Sequence, residues 1–254
     1  MALAQTTDGT ELFWDAQGSG EPLLLIAGQA MSHRGWLSIL PQYTEKHRTI
    51  YFDHRGIGQS GPGVTEPYST SLFAQDCLAI LQAAGEEKAH IYGHSMGGRI
   101  AQELAIAHPE SVRKVILGAT TAGESQGKKR SREATRDLFS GDWRRLTPHF
   151  FSAQFVEEHE EIVRVFFRTD ASPETLKQHY IASKTHDAWA RLDQITAPTL
   201  ILHGDADDLT PVENAILMAE TIPDAQLAVL KDGLHGYFLE REDANDIALK
   251  FLAA

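Results

Sequence analysis

The stretch Gly93-His94-Ser95-Met96-Gly97 is the strongest indication of fold in this 254-residue chain. It has the pattern Gly-x-Ser-x-Gly and lies between an apolar run at 89–92 and a helical pattern, which places it at a strand-to-helix turn. A serine at the tip of so tight a turn needs neighbours without side chains, because Cβ atoms there would collide. We therefore interpret Ser95 as an exposed nucleophile. The alternative is an ordinary glycine-rich turn.

A nucleophilic serine requires a base and an acid, because a serine hydroxyl alone is a weak nucleophile. His235 is the candidate base. It lies in a glycine-flanked loop after the last strand-like run, 225–231, and imidazole accepts and returns protons near neutral pH. The acid is expected in the short loop after the preceding strand-like run. Three carboxylates lie there: Asp205, Asp207 and Asp208.

The remaining histidines are expected to have other roles. The chain has 12 histidines, and most fall on predicted helices, on strand edges or in an inserted segment, where a histidine is usually a surface or satisfied group. His94 lies inside the turn and is interpreted as a local support.

A serine nucleophile also needs N–H donors for the oxyanion of its tetrahedral intermediate. One candidate is the backbone N–H of Met96, directly after the serine. The other is the backbone N–H of Gln29, in the loop that follows the early strand-like run 23–26. Gly28 permits a tight backbone there. The alternative is an ordinary glycine turn whose amides face water.

Together these residues resemble the α/β-hydrolase superfamily over nearly the whole chain. The stretch 52–60 is similar to the Asp-x-Arg-Gly-x-Gly-x-Ser loop of that family, which implies that Arg55 is an internal tie and has no catalytic role. Among the three acids, the resemblance to the family pattern Gly-x-x-Asp-x-x-x-Pro selects Asp207. Many relatives have His-Gly in the oxyanion loop where this chain has Ala27-Gly28, so the support of that loop must differ here.

Strand-like and helix-like runs alternate along the chain, which predicts a mostly parallel sheet flanked by helices. Expected strands lie at 11–15, 23–26, 49–52, 89–92, 112–117, 199–202 and 226–230, and expected helices at 70–84, 96–108, 212–221 and 242–252. The alternation breaks at 122–190, which is charged, rich in aromatic residues and helical in pattern, for example from Glu157 to Phe167. We therefore predict a core of residues 1–121 and 191–254 with an inserted helical cap at 122–190.

Composition excludes several classes of function. The net charge of −12 disfavours nucleic acid and anionic membranes as partners. The single cysteine, Cys77, precludes an internal disulfide. Without an apolar stretch of membrane-spanning length or a signal-peptide pattern at the N-terminus, we expect a cytoplasmic protein. The acids at 205–208 lack the spacing of a calcium loop and Gly56-Ile57-Gly58 lacks the third glycine of a dinucleotide site, so no metal or cofactor is predicted.

The sequence thus predicts a serine hydrolase that cleaves a small, partly apolar carboxylic ester or lactone through an acyl-enzyme. Carbon–carbon bond hydrolases and cofactor-free perhydrolases use the same three residues, so both remain alternatives. A hydrolase-like receptor with low turnover is a further alternative, from a different class. Oligomeric state is left open.

Overall fold

The computed structural model describes residues 2–254, and its centre is an eight-stranded sheet. The strands are β1 (Ala2–Gln5), β2 (Glu11–Gln17), β3 (Glu21–Ile26), β4 (His47–Phe52), β5 (Ala89–His94), β6 (Val112–Gly118), β7 (Thr199–Gly204) and β8 (Gln226–Leu230). Their order in the sheet is β1-β2-β4-β3-β5-β6-β7-β8. Strand β2 is antiparallel to both of its neighbours, and all other neighbouring strands are parallel. The predicted fold class, a mostly parallel α/β sheet, is confirmed.

Helices cover both faces of the sheet. They are α1 (Leu40–Thr44), α2 (Thr70–Ala84), α3 (Met96–Ala107), α4 (Arg132–Leu138), α5 (Trp143–Phe150), α6 (Ala153–Glu158), α7 (Glu160–Phe167), α8 (Pro173–Thr185), α9 (Glu213–Thr221), α10 (Tyr237–Glu240) and α11 (Glu242–Ala253), with short 3₁₀ turns at His33–Trp36, Pro109–Ser111 and Trp189–Gln194. On β3, Leu24 packs in a cluster with α2 and α3, whereas Leu25 packs in a second cluster with α1 and α11. Because both faces of the central strands are buried, their sequences are continuous apolar runs.

Strand β1 was not predicted from the sequence. It is four residues long, and only Ala4 in it is buried, so it carries almost no periodic signal. Met1, the first residue of the N-terminal stretch considered above, lies outside the described residues. No helix of residues 2–254 is long and apolar enough to cross a membrane.

The segment 122–190 contains helices α4 to α8. Within residues 2–254, its one pairing of the β type is an isolated bridge between Gly123 and Asp187. The expected helical run from Glu157 to Phe167 is interrupted, because the backbone of His159, with φ −134°, ends α6 and begins α7. This break lets Phe155 of α6 join the same buried cluster as the apolar side of α7.

Arg55 is an internal tie, as its resemblance implied. Its side chain is 1% exposed and donates two hydrogen bonds to Asp76, of 2.6 and 2.7 Å, and one to Asp8 of 2.6 Å. Cys77 is buried on α2, and burial raises the pKa of its thiol.

Candidate active site

Ser95 lies at the turn between β5 and α3 in a backbone conformation that only glycine adopts readily. Its φ is 56° and its ψ is −117°, a strained combination for a residue with a Cβ. A Cβ at Gly93 would overlap the carbonyl oxygen of Gly97, and a Cβ at Gly97 would overlap that of Ile26. The two glycines are therefore required by close backbone packing. The Ser95 N–H donates to the Gly118 carbonyl over 2.8 Å, which helps to hold the turn.

Ser95, His235 and Asp207 form a hydrogen-bonded chain. The Oγ of Ser95 lies 3.0 Å from Nε2 of His235, and Nδ1 of His235 lies 2.7 Å from Oδ2 of Asp207. His235 and Asp207 are 3% and 4% exposed. The three residues come from the loops after β5, β7 and β8, which meet at the carboxyl edge of the sheet.

Asp207 accepts hydrogen bonds on both carboxylate oxygens. Its Oδ1 accepts the backbone N–H groups of Leu209 and Thr210 at 3.0 and 2.8 Å. Since Oδ2 accepts the Nδ1–H of His235, all of these donors favour the ionised carboxylate. The proton on Nδ1 leaves Nε2 of His235 free to accept the hydroxyl proton of Ser95.

The two neighbouring acids have different partners. Asp205 accepts the N–H of Asp232 at 2.6 Å, and Asp208 contacts Nδ1 of His149 at 2.8 Å. The three carboxylates therefore point to different partners and do not meet. Within residues 2–254, no group of three or more histidine, cysteine or acidic side chains is arranged to hold a metal ion.

Burial keeps the imidazole of His235 neutral. Desolvation, assisted by the nearby Arg130 charge, lowers its pKa to about 3. Burial raises the pKa of Asp207, while His203 and the amide donors act in the opposite direction. A neutral His235 is the form that can take a proton.

The backbone of the His235 loop is fixed from two sides. Nε2 of His94 donates to the His235 carbonyl over 2.8 Å, so His94 has the supporting position expected of it. On the other side, the His235 N–H donates to the carbonyl of His149 at 3.1 Å, and the Gly236 N–H donates to that of Phe150 at 2.9 Å. The end of α5 thus holds the loop that carries the imidazole.

The expected oxyanion loop lies against Ser95. A Cβ placed on Gly28 would come within 3.3 Å of the Ser95 Cβ, and Gln29 lines the cavity beside the serine hydroxyl. Neither the Gln29 nor the Met96 N–H has an acceptor among residues 2–254, so both are free to bind a ligand oxygen. Nε2 of His54 donates to the Ala27 carbonyl at 3.0 Å. This hydrogen bond holds the oxyanion loop, in which Ala27 stands where many relatives have histidine.

Three adjoining cavities lie at this site. The reaction cavity, of about 60 Å³, is lined by Ser95, His235 and Arg99 among others. The aromatic cavity, of about 420 Å³, is lined mainly by apolar side chains of segment 122–190 and shares Met31 and Phe150 with the reaction cavity. The basic cavity, of about 230 Å³, shares Arg99 with it.

Two arginines of the site were not predicted from the sequence. Arg99 follows Ser95 by one helical turn and therefore lies on the same side of α3, a spacing that could have identified it. Arg130 lies in an irregular stretch before α4, where no sequence pattern indicates its direction. Burial lowers the pKa of Arg99 to about 10 and also lowers the pKa of Arg130, and both remain charged at neutral pH.

Comparisons with known proteins agree with this architecture. The family described as alpha/beta hydrolase fold matches residues 21–242. A curated protein of Azorhizobium caulinodans named "Putative carbamate hydrolase RutD" is 31% identical over 95% of this chain and 94% of its own length. The "2-hydroxy-6-oxononadienedioate/2-hydroxy-6-oxononatrienedioate hydrolase 1" of Dechloromonas aromatica is 29% identical over 95% of this chain and 90% of its own. The solved esterase EaEST of Exiguobacterium antarcticum superposes with a TM-score of 0.86 at 25% identity, covering 100% of this chain and 99% of that one.

Proposed function

Because the chain belongs to the α/β-hydrolase fold family, and is a hydrolase by that membership, we propose that it cleaves a carboxylic ester or lactone with Ser95 as nucleophile. The observation that carries the proposal is the chain of hydrogen bonds from Asp207 through His235 to the Ser95 Oγ, with distances of 2.7 and 3.0 Å. Nucleophile, base and a third group that orients the base are the arrangement that acyl transfer requires.

The first half of the reaction forms an acyl-enzyme. Nε2 of His235 takes the Ser95 hydroxyl proton while Oγ attacks the carbonyl carbon. The N–H groups of Gln29 and Met96 bind the resulting oxyanion, and Asp207 stabilises the imidazolium. The tetrahedral intermediate then collapses, the bond to the leaving oxygen breaks, and His235 returns its proton to that oxygen.

The second half releases the acid. Water gives a proton to Nε2 of His235 and its oxygen attacks the acyl carbon. Collapse of the second tetrahedral intermediate breaks the bond to Oγ, and His235 returns the proton to Ser95. The enzyme is restored and the product is a carboxylic acid.

The aromatic cavity supports a partly apolar substrate. Phe150, Phe167 and Trp143 line it, and Phe150 also packs its ring on His235 with a centroid distance of 4.8 Å. We propose that residues 122–190 act as the cap that holds the apolar part of the substrate away from water.

A carbon–carbon bond hydrolase is the second candidate, because a relative that aligns along 95% of the chain is named for a 2-hydroxy-6-oxo acid. In that reaction the same serine would attack a ketone and the leaving group would be carbon. Carbamate hydrolysis, from the name of another relative, would use the same acyl chemistry with nitrogen leaving.

The proposal is tested by replacing Ser95 with alanine and measuring cleavage of 4-nitrophenyl acetate. Removal of the nucleophile from a serine, histidine and aspartate that act together lowers kcat by up to about 10⁶-fold. The control is Ser71→Ala, because Ser71 is exposed on α2 and its loss should leave the rate unchanged. A Ser95→Ala protein that retains the parent rate would refute the nucleophile assignment.

A second measurement separates the candidates. The parent protein is given a simple ester, an enol-lactone, a carbamate and a vinylogous diketone side by side, and is treated with a fluorophosphonate probe. Labelling of Ser95 with preferred turnover of the ester or lactone supports the proposal. Preference for the diketone supports the second candidate, and absence of labelling supports a low-turnover receptor.

A further inference from the structure

The reaction cavity is lined by two arginines that make no ion pair at contact distance with a carboxylate. Arg99 is buried and its Nη1 donates to the carbonyl and the hydroxyl of Ser183. Arg130 is half-buried, and its guanidinium makes no hydrogen bond or ion pair with any of residues 2–254. Arg55, in contrast, is fully paired with two aspartates. Glu124 acts on the charge of both arginines, and Asp207 on that of Arg130, in each case from beyond ion-pair distance. A partly desolvated guanidinium without a counter-ion in contact is costly, so a ligand anion would compensate both arginines.

The surrounding surface is basic although the chain carries a net charge of −12. Two lysines, Lys129 and Lys184, line the basic cavity together with Arg99 and Arg130. The carboxylate in its lining is Glu124, which lies 3.8 Å from Lys184. Four cations therefore face one carboxylate that already has a partner, and this local excess attracts an anion in spite of the net charge.

We propose that Arg99 and Arg130 bind a free carboxylate of the substrate while Ser95 attacks a carbonyl elsewhere in the same molecule. This inference rests on the proposed function and names its substrate class: esters or lactones that carry a carboxylate. A guanidinium presents parallel N–H groups that match the two oxygens of a carboxylate. Arg99 uses Nη1 on Ser183, which leaves its Nε and Nη2 edge for the ligand.

We infer two arms of such a substrate from the different side chains that line the basic and aromatic cavities, although Leu138, Phe139 and Tyr180 belong to both linings. The reaction cavity shares Arg99, Arg130 and Ser183 with the basic cavity, and shares Met31 and Phe150 with the aromatic cavity. The carboxylate arm therefore extends from Ser95 into the basic cavity, and the apolar arm extends into the aromatic cavity. The scissile carbonyl lies between them.

The test compares two esters that differ in one charge: 4-nitrophenyl hydrogen glutarate, which has a free carboxylate, and its neutral methyl ester. The measured quantity is the ratio of their kcat/KM values. We expect the parent to prefer the carboxylate, and Arg130→Gln to reduce the ratio about 10- to 100-fold, the effect of losing a hydrogen bond between charged groups. The ratio is used because Arg130 also lowers the pKa of His235, an effect that is common to both esters.

The matched control is Arg132→Gln, which removes the same charge from an exposed position two residues further along. Its ratio should stay within about twofold of the parent, since an exposed charge beyond direct contact is screened by salt. An Arg130→Gln ratio equal to the parent ratio would overturn the carboxylate site and leave the hydrolase proposal standing.

A binding measurement keeps the two proposals separate. Glutarate and inorganic phosphate are titrated calorimetrically into the Ser95→Ala protein and into the Ser95→Ala/Arg130→Gln double variant. Tighter glutarate binding to the first protein supports the site even if neither ester is cleaved, an outcome that would refute only the proposed function. Equal glutarate binding to both, or binding of phosphate alone, overturns the proposal.

Discussion

The loops at the carboxyl edge of the sheet and the helices of segment 122–190 contribute to one site in opposite ways. The edge loops supply Ser95, Asp207 and His235 from turns whose geometry is fixed by close backbone contacts. The helical segment supplies Trp143, Phe150 and other aromatic groups that fill space around a cavity. Fixed backbone geometry demands particular residues at particular positions and so leaves a motif, whereas cavity lining demands only apolar volume. We therefore expect the first region to indicate the chemistry, and we propose that the second governs the choice of substrate.

After Ser95→Ala, the largest expected effect comes from changing the acid in the edge loops. Asp207→Asn has nearly the same side-chain shape, but its amide N–H can replace the carboxylate oxygen that accepts the Nδ1–H of His235. The imidazole would then carry its proton on the wrong nitrogen, so kcat for 4-nitrophenyl acetate should fall about 10⁴-fold. The neighbouring change Asp208→Asn should alter kcat less than about threefold, because the Asp208 side chain is 50% exposed and does not contact His235. Steady-state kinetics of both variants decide the point, and a larger loss in Asp208→Asn would mean that the wrong acid has been assigned.

A smaller and more selective effect is expected in the helical segment. Phe167→Ala removes part of the aromatic cavity, so kcat/KM for 4-nitrophenyl octanoate should fall about tenfold, the effect of losing one to three kcal/mol of apolar contact. The value for the acetate ester should change little, because a short acyl chain does not reach the cavity. Val165→Ala is the control on the same helix, since Val165 is 36% exposed and does not line that cavity. Equal losses on both esters would show that Phe167 supports the fold and not the substrate.

The smallest expected effect concerns the contact between the two regions. The Asp208 and Asp137 carboxylates beside His149 raise the pKa of its imidazole against the opposing effect of burial. Because the folded pKa is raised, the stabilisation is complete below the ordinary value of about 6.5 and is lost as pH rises through the raised value. The Tm of the parent minus that of His149→Gln should therefore decrease slightly as pH rises through the raised pKa.

The control is His159→Gln, at an exposed position of the same segment, for which the Tm difference from the parent should not change with pH. A difference for His149→Gln that also stays constant with pH would contradict the role given to the His149 contacts.

Much of the core and of the edge loops could be predicted from the sequence. Gly93 and Gly97 indicated the turn because no other residue fits there, and strands buried on both faces appeared as apolar runs. The selection of Asp207 needed the family resemblance, since three acids share the loop and only the fold makes them diverge. Arg130 could not be found, because its position depends on an irregular stretch and on long-range packing. The break at His159 was missed because helical periodicity continues across it.

The two backbone hydrogen bonds from the His235 loop to His149 and Phe150 have a consequence for exchanging substrate ranges between hydrolases. A chimera that replaces residues 122–190 as one block also replaces the backbone that supplies both carbonyl acceptors. The His235 loop then keeps its support only where the new backbone places carbonyls at the same points. The exchanged segment should therefore exclude the end of α5, so that this protein keeps its own His149 and Phe150 carbonyls. On the proposed role of segment 122–190, we expect a graft designed in this way to change the range of substrates and to leave the support of the His235 loop intact.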